Sequence, residues 1–422
     1  MAPIQKAIII GGGPAGLAAA IRLKTHNGID TVVYEIRSEP TTLGGAVNIP
    51  SNGLRLFDRL GLYDTLVSRA SSASQLIVHS RQGGILADLD LAGWSRGQIG
   101  FGFMRVLRRD LIDVMLEETT KQNIPVIFGK SMTKIVETEN QATVTFADGT
   151  TDTADLLLGC DGIHSAVRNL HVSPTAAPEY TGISNMFTIL PVSKLSEQNR
   201  ELAPALHATL TSQGLFGVMP CTSSGSHLYW FYSREVPLPS GDSREGWETV
   251  NKQQVEGFKE NLQKVIGDAT GHWSDQLREM VQKTDTIKFY PLYKMPPAVK
   301  WFTKRSLILG DAAHAMQPHA GQGTSMALED VFLLSRLLEQ PNKSLAEAFE
   351  KYQIIRRPRV EAIANASASN GEIRKDTGPM ALKVKEFAFW GLFSLYKMTG
   401  LQKWGIGMNQ KDTVYDIMAE PI

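Results

Sequence analysis

A glycine-rich turn near the amino end constrains this chain more than any other feature. Lys6–Ile10 is apolar enough to be a short buried strand, and residues 15–23 have the composition of a helix. Between them stand Gly11, Gly13 and Gly16. At this spacing the first glycine allows a tight turn, the second lets a pyrophosphate approach the backbone, and the third lets the helix pack closely on the strand. The pattern predicts a strand–turn–helix unit that binds a dinucleotide.

A second strand completes the unit. Residues 31–34 are β-branched and aromatic, and Glu35 follows them directly. An acidic residue about twenty positions after the glycines can accept hydrogen bonds from ribose hydroxyls. FAD and nicotinamide dinucleotides share this motif, so the motif alone leaves the choice between them open.

Composition excludes several other classes of protein. The chain has 422 residues, with 43 basic and 43 acidic side chains, so it lacks the positive charge expected of a nucleic-acid-binding protein. Its two cysteines, Cys160 and Cys221, exclude a disulfide scaffold and a cysteine-rich metal site, and we predict no metal ligands. Few cysteines and no signal-like segment favour a cytoplasmic location.

The rest of the chain alternates between two characters. Residues 153–160 and 306–309 read as buried strands, and residues 108–118 and 324–338 read as helices. From about residue 178 to residue 290 the pattern is strand-like, which predicts a largely antiparallel second sheet. From about residue 345 the chain reads as helical, with Pro358 and Gly371 as expected breaks.

Three further segments occur in a fixed order: Arg-Arg-Asp-Leu at 108–111, Gly-Cys-Asp-Gly-Ile-His-Ser at 159–165, and Gly-Asp-Ala-Ala-His at 310–314. With the first turn, they make residues 7–338 resemble the FAD-dependent aromatic hydroxylases, the single-component flavoprotein monooxygenases of the hydroxybenzoate hydroxylase type. Residues 44–49 are more similar to the tetracycline-inactivating branch, in which an aspartate stands at the position of Asn48.

The resemblance implies an α/β fold with a discontinuous Rossmann-like FAD-binding domain, an interleaved antiparallel substrate-binding sheet and C-terminal helices. The expected boundaries are 1–75, 100–177 and 291–344 for the FAD-binding domain, 76–99 and 178–290 for the substrate domain, and 345–422 for the helical region.

The resemblance also implies a set of FAD-binding residues. Glu35 would bind the adenosine ribose, Arg108 the ribityl-phosphate region and Asp311 the ribityl chain. Asp161 would lie near the pyrophosphate and the path of the nicotinamide donor, and the start of the long helix would stabilise negative charge on the reduced flavin. The complete expected set is Gly11, Gly13, Gly16, Glu35, Arg37, Gly45, Asn48, Arg108, Asp161, Asp311, Gly323 and Thr324.

The implied reaction uses FAD, a transiently bound NAD(P)H and dioxygen. Hydride transfer to FAD, formation of a flavin hydroperoxide and oxygen transfer would hydroxylate or epoxidise an apolar substrate, aromatic or similar to the polyketides of secondary metabolism. No second glycine-rich unit is present for a resident nicotinamide, and nothing in the sequence distinguishes NADH from NADPH. The alternatives are a flavin-dependent reductase or desaturase and a flavin-dependent halogenase, although the halogenase segment Trp-x-Trp-x-Ile-Pro is absent.

The substrate would contact the second sheet. Strand alternation puts His227, Tyr229 and Phe231 on one face, and we expect His227 or Tyr229 to orient or deprotonate a phenol. His164 and His314 are expected to be structural. The other residues expected in this wall are Phe216, Val218 and Met219.

An aromatic segment at residues 387–396, with Trp404 nearby, allows two interpretations. It is either a helix that packs on the rest of the protein or an interfacial membrane anchor. Packing is favoured because the four flanking lysines are too few for a strong basic face. These are Lys383, Lys385, Lys397 and Lys403.

Overall fold

The computed structural model describes residues 4–40, 45–237, 252–297, 299–340, 343–407 and 410–422. The strands are β1 Lys6–Ile10, β2 Asp30–Tyr34, β3 Ala46–Ile49, β4 Gln75–His79, β5 Ile85–Asp90, β6 Met104–Leu107, β7 Val126–Ile127, β8 Met132–Glu137, β9 Ala142–Phe146, β10 Thr151–Ala154, β11 Leu156–Gly159, β12 Glu179–Pro191, β13 Ala205–Thr211, β14 Gly214–Pro220, β15 His227–Glu235, β16 Lys288–Lys294 and β17 Ser306–Ile308.

The helices frame these strands, and short 3-10 turns at Pro318–Ala320, Glu372–Arg374 and Leu401–Trp404 connect some of them. The α-helices are α1 Pro14–Asn27, α2 Ser51–Arg59, α3 Tyr63–Arg69, α4 Gly93–Ile99, α5 Arg108–Lys121, α6 Glu197–Arg200, α7 Lys252–Ile266, α8 His272–Gln282, α9 Asp311–His314, α10 Gly323–Leu338, α11 Leu345–Gly371 and α12 Pro379–Thr399.

The first sheet is parallel and has the strand order β17-β11-β1-β2-β7. Strand β11 is apolar throughout and β1 is apolar after Lys6, as expected when both faces of a sheet are covered. Helix α1 connects β1 to its parallel neighbour β2, which is the predicted strand–turn–helix–strand unit. The predicted α/β class is confirmed.

The single strand predicted at residues 153–160 is wrong. The chain forms β10 in a three-stranded antiparallel sheet and then β11 in the parallel sheet. Asp155 separates them, because its carboxylate turns back to accept hydrogen bonds from the main-chain N–H groups of Gln5 (2.8 Å) and Lys6 (3.0 Å). The sequence run conceals this change of sheet because Ala154 and Leu156 are both apolar.

The second large sheet has seven strands in the order β16-β12-β15-β14-β13-β4-β5. All its strand pairs are antiparallel except β13 with β4, which matches the predicted largely antiparallel sheet. Helices α7 and α8 pack on one face, and α12 packs on part of the opposite face. The opposite face is the one that carries Tyr229 and Phe231.

Pro358 does not break the helix predicted around it. It lies inside α11, which runs unbroken to Gly371. Proline lacks the N–H that would bond the carbonyl of Ile354. Ile354 is 68% exposed and Pro358 is exposed too, so water can take the place of the missing donor.

The described helices include none that is both long and apolar enough to cross a bilayer. The three-part division of the chain predicted from the sequence stays a prediction, although the strands of the seven-stranded sheet do come from two separated parts of the chain, residues 75–90 and 179–294.

Candidate active site

The turn between β1 and α1 brings the predicted glycines together at the end of the parallel sheet. Gly11 has φ +108°, and a Cβ there would overlap the carbonyl of Cys160 at the end of β11. Gly16, in the first turn of α1, faces the carbonyl of Gly11 just as closely. Gly13, by contrast, precedes α1 with open space at its Cβ position. The amino end of α1 is therefore open where a pyrophosphate would bind.

Glu35 holds this turn in place. One carboxylate oxygen accepts a hydrogen bond from the N–H of Gly12 (2.7 Å), and the other accepts from the N–H of Arg37 (3.0 Å). Glu35 thus stands beside the turn at the end of β2, as predicted. Its binding of a ribose stays a prediction, as does the role of Arg37.

Strand β3 forms a second wall of the site. The N–H of Arg108, at the start of α5, bonds the carbonyl of Gly45 (3.0 Å). A Cβ on Gly45 would overlap the ring of Tyr229, so only glycine lets this strand meet β15. Asn48 lies opposite Gly321, 3.4 Å from where a Cβ of that glycine would be. Gly44, which precedes this strand, lies outside the described residues.

Three polar side chains converge beside this wall. Burial raises the pKa of Asp311, and the positive charge of Arg108 is among the groups that oppose the rise. Burial also raises the pKa of Tyr290, which Arg108 lowers and Asp311 raises further. Tyr290 nevertheless keeps 41% of its surface accessible. Sequence reasoning found Arg108 and Asp311 but missed Tyr290.

Asp161 has a structural task in this fold. Its Oδ2 accepts hydrogen bonds from the N–H groups of Ala166 (2.6 Å) and Val167 (3.1 Å) and so holds the turn after β11. Its Oδ1 is buried without a partner among the described residues. Burial raises the pKa of this carboxyl, and the hydrogen bonds oppose the rise. The predicted position near the pyrophosphate and the nicotinamide path remains a prediction.

A buried ionic network lies next to Asp311. Asp330 accepts hydrogen bonds from the N–H of Gly310 (2.9 Å), from Nε2 of His314 (2.6 Å) and from Nε of Arg356 (2.7 Å). Burial acts to raise the pKa of Asp330, but His314 and Arg356 outweigh it and hold the pKa at about 2. His314 therefore fixes the Gly310 turn, as expected of a structural residue.

The same network reaches the start of α10. Glu329 accepts from Nη1 of Arg356 (2.7 Å) and from Nδ2 of Asn52 (2.9 Å), and Asn52 also donates to Oε1 of Gln322 (3.0 Å). Gln322 precedes Gly323 and Thr324, the first residues of α10, and a Cβ at Gly323 would have open space around it. The positive end of α10 is thus fixed in position and accessible.

The seven-stranded sheet supplies the third wall. Tyr229 lies between Phe187 (5.8 Å between ring centroids) and Phe231 (5.9 Å). Met219 pairs with Tyr229 across the strands and shares this face. Phe216 and Val218 do not, which corrects the prediction. They pair with Tyr232 and Trp230 and pack beneath α7 and α8.

The two predicted substrate-orienting residues separate in the structure. His227 lies at the hairpin end of β15, where its Nδ1 is 3.0 Å from Oγ of Ser226, and it acts electrostatically on Asp110 of α5. Tyr229 stands over Gly45, and burial raises the pKa of its phenol well above the ordinary value. A neutral phenol can orient a substrate by hydrogen bonding, but it is a poor base. Whether His227 or Tyr229 orients a substrate stays a prediction.

Sequence reasoning also missed a group of buried polar side chains between the Pro318–Ala320 turn and the end of α11. Arg374 is 8% exposed; its Nη1 donates to the carbonyl of Asn370, and its Nε has no partner among the described residues. His319 Nε2 and Gln317 Oε1 are likewise buried without partners there. Burial, and secondarily Arg374, lowers the pKa of His319 to about 2, so its imidazole is neutral. No local motif marks these residues.

This arrangement fits a bound FAD. Two helix amino ends, those of α1 and α10, face open space at Gly13 and Gly323. Asn48 Oδ1 and Asp161 Oδ1 are buried and retain hydrogen-bonding capacity. Buried polar atoms without protein partners mark places where a polar ligand can supply them.

Comparison with known proteins agrees with this geometry. A family model described as an FAD binding domain matches residues 5–367, so the chain belongs to that family. A 6-hydroxynicotinate 3-monooxygenase of Pseudomonas fluorescens is 26% identical over 381 residues, which cover 90% of this chain and 94% of the relative. The resemblance to FAD-dependent hydroxylases is confirmed, and the chain is an FAD-dependent monooxygenase.

Solved structures share the fold. Klebsiella pneumoniae HpxO complexed with FAD and uric acid superposes with a TM-score of 0.79 at 24% identity, covering 99% of this chain and 97% of that one. The tetracycline destructase Tet(55) superposes with a TM-score of 0.68 at 20% identity, covering 93% and 97%. The fold is thus shared with both branches that the sequence resembles.

Proposed function

We propose that this chain uses FAD, NAD(P)H and dioxygen to hydroxylate or epoxidise an apolar small molecule, aromatic or polyketide-like. The observation that carries this proposal is that three elements from distant parts of the chain meet. The β3 strand that fits the flavin, the Gly321 turn before α10 and the aromatic face of β15 meet at Gly45, Asn48 and Tyr229.

The chain's own residues would hold FAD along the edge of the parallel sheet. The N–H groups at the start of α1 suit the pyrophosphate, and Glu35 suits the adenosine ribose. Arg108 and Asp311 lie beside each other where the ribityl chain would run. The start of α10 stabilises negative charge that develops on the ring.

The chemistry supplied by bound FAD is hydride acceptance from a nicotinamide and activation of dioxygen for transfer of one oxygen atom to the substrate. The chain contributes the surroundings. Phe187, Tyr229 and Phe231 make an apolar surface that excludes water from the reacting face. The protonated phenol of Tyr229 orients the substrate by a hydrogen bond.

The buried polar group formed by Arg374, His319 and Gln317 suits a polar end of the substrate. Arg374 carries a positive charge that pairs with no carboxylate among the described residues, and it lies close enough to His319 to help lower the pKa of that imidazole. A carboxylate, enol or phenol on the substrate would supply the missing partner.

Labelled dioxygen tests the proposal. FAD-loaded protein would be supplied with NADPH or NADH and a panel of phenolic and polycyclic compounds under ¹⁸O₂, and products would be examined by mass spectrometry. We expect one ¹⁸O atom per product molecule, with oxygen uptake equal to product formed. A product that lacks ¹⁸O would establish the reductase or desaturase alternative, and a chloride-dependent, chlorinated product would establish the halogenase.

A further inference from the structure

Helix α12 has two apolar faces, and only one of them is covered. Leu382 and Tyr396 are buried, and Phe389 and Phe393 are partly buried, against strands β4, β5 and β13. These four positions fall on one side of a helix. The seven-stranded sheet therefore holds α12 flat along its outer edge.

The other face of α12 is apolar and faces solvent. Phe387 is 72% exposed and Met398 is 82% exposed. The apolar residues of this face follow one another at intervals of three, four or eight positions, which keeps them on one side of the helix. This outer stripe of α12 consists of Met380, Val384, Phe387, Leu395 and Met398, with Trp390 and Leu392 at its margins and Trp404 just beyond the helix.

Such a stripe is unusual on a surface helix. Single exposed apolar residues are normal, but a contiguous apolar patch on a protein surface marks an interaction site. Within the stripe the intervening exposed or half-exposed positions are Ala388, Gly391 and Ser394, so no charged side chain interrupts it. The expected packing of this segment is thus found on one face only.

Charges at the margins indicate what would cover the stripe. Lys383, Lys397 and Lys403 are exposed around it. Glu386 is half-buried and its carboxylate accepts from the main-chain N–H of Arg81 (3.2 Å), so it does not offset them. A second copy packed antiparallel on this stripe would bring Lys383 against Lys397 and Lys403 with no acidic partner on the helix. Anionic lipid headgroups would complement the same charges.

We propose that the outer stripe of α12 docks the protein on the surface of a phospholipid membrane that contains anionic lipid. The helix lies in the interface plane, because its inner face stays packed on the sheet. The exposed apolar side chains enter the boundary between headgroups and acyl chains, Trp390 and Trp404 take the positions that amphipathic rings prefer, and the lysines meet the headgroups.

Docking in this orientation has a consequence for the substrate. The inner face of α12 joins the same apolar cluster as Phe231, which shares its sheet face with Tyr229. A membrane on the outer side of one helix would thus lie next to the proposed substrate surface. An apolar compound dissolved in lipid could reach that surface with little exposure to water.

Vesicle co-sedimentation of the FAD-loaded full chain tests the docking, and it does not depend on turnover. The vesicles are phosphatidylcholine alone and phosphatidylcholine mixed with phosphatidylserine. We expect binding to the mixed vesicles, reduced at least about tenfold by Phe387→Ser, Leu395→Ser and Met398→Ser together, since each buried apolar side chain contributes on the order of a tenfold factor.

Two further variants separate the causes. The matched control replaces three exposed apolar residues elsewhere, Val136→Ser, Leu170→Ser and Ile354→Ser, and should bind as the unmodified chain does. The combination Lys383→Gln, Lys397→Gln and Lys403→Gln should weaken binding to the mixed vesicles alone.

Three results would overturn the proposal. The unmodified chain could fail to sediment with either vesicle, or the α12 variant could bind as well as the control. In sedimentation velocity without lipid, an oligomer that the α12 substitutions dissociate would instead identify the stripe as a contact between copies of the chain.

Discussion

Two groups of buried polar side chains near the site differ in how completely they are paired. In the first, Asp330 and Glu329 accept from Arg356, Arg359 and other donors at 2.6–2.9 Å. In the second, Arg374 has one hydrogen bond, to the carbonyl of Asn370, and its neighbour His319 leaves a ring nitrogen without a partner among the described residues.

This difference distinguishes side chains that stabilise the fold from side chains that can bind a ligand. A buried charge is stable when its partners are present within the protein, as they are around Asp330. A buried charge that lacks them keeps its hydrogen-bonding capacity for a ligand. The first group therefore fixes the backbone at Gly310 and the start of α10, whereas we propose that the second binds the substrate.

Removing the central cation of the paired group should have the largest effect. Arg356→Met would remove the guanidinium that Asp330 shares with Glu329 and leave Arg359 as the cation bonded to Glu329, and we expect a loss of about 3–5 kcal/mol in the free energy of unfolding. Thermal and urea unfolding of the variant would measure the loss, and flavin content should fall with it because the Gly310 turn and α10 lose their support.

The control for that change is Arg109→Met. Arg109 is 77% exposed and its nearest carboxylate, on Asp113, is 3.6 Å away within the same helix, so its removal should change stability little. Equal losses in the two variants would show that the stability does not come from the buried ion pairs of Arg356.

The same substitution in the unpaired group should weaken ligand binding without lowering stability. Arg374→Met removes a buried cation that pairs with no carboxylate in the described part of the chain, so the melting temperature should stay the same or rise. The affinity for a small aromatic carboxylate such as salicylate should fall at least about tenfold. The change in flavin absorbance on binding would measure it. Binding of the neutral amide of the same compound should not change, and Arg374→Lys should restore part of the affinity. Equal weakening of acid and amide would assign Arg374 to packing alone.

The smallest effect concerns the contact between Gly45, just before β3, and the ring of Tyr229 in β15. Gly45→Ala would force the ring of Tyr229 to move, and Tyr229→Ala would remove the obstacle. In a double-mutant cycle the two changes should couple by on the order of 1 kcal/mol in the free energy of unfolding. Strict additivity would show that the two walls do not touch in solution.

The first turn could be predicted from the sequence because its geometry depends on local backbone. Gly11, Gly16 and Glu35 act within a strand–turn–helix unit whose spacing is fixed, so residue types at set intervals suffice. Sheet faces were harder. Alternation placed Tyr229 and Phe231 together correctly, but Phe216 and Val218 needed the register of β14 against β15, which no single strand contains.

The unpaired group could not be predicted at all. His319 and Arg374 are 55 residues apart and meet only because α11 runs back past the Pro318–Ala320 turn. Tyr290 likewise reaches Arg108 through the pairing of β16 with β12. Such contacts follow from the packing of distant elements, and local residue patterns carry no record of them. Pro358 is the opposite case: a strong local signal predicted a helix break, but the exposed carbonyl of Ile354 can bond water, so the helix continues.

The pairing of β17 with β11 sets an order of events during synthesis. Leu307 lies beside Leu158 in the parallel sheet, and the whole of β12 to β16 is made between them. The ribosome must therefore release about 150 further residues before the sheet edge can close, at roughly 5–20 residues per second. Through that interval the outer edge of β11 lacks its β17 neighbour, and the last five strands of the seven-stranded sheet have time to join β4 and β5 first. Slow closure of a long loop of this kind is the step at which a chain with parallel strands is most exposed to aggregation.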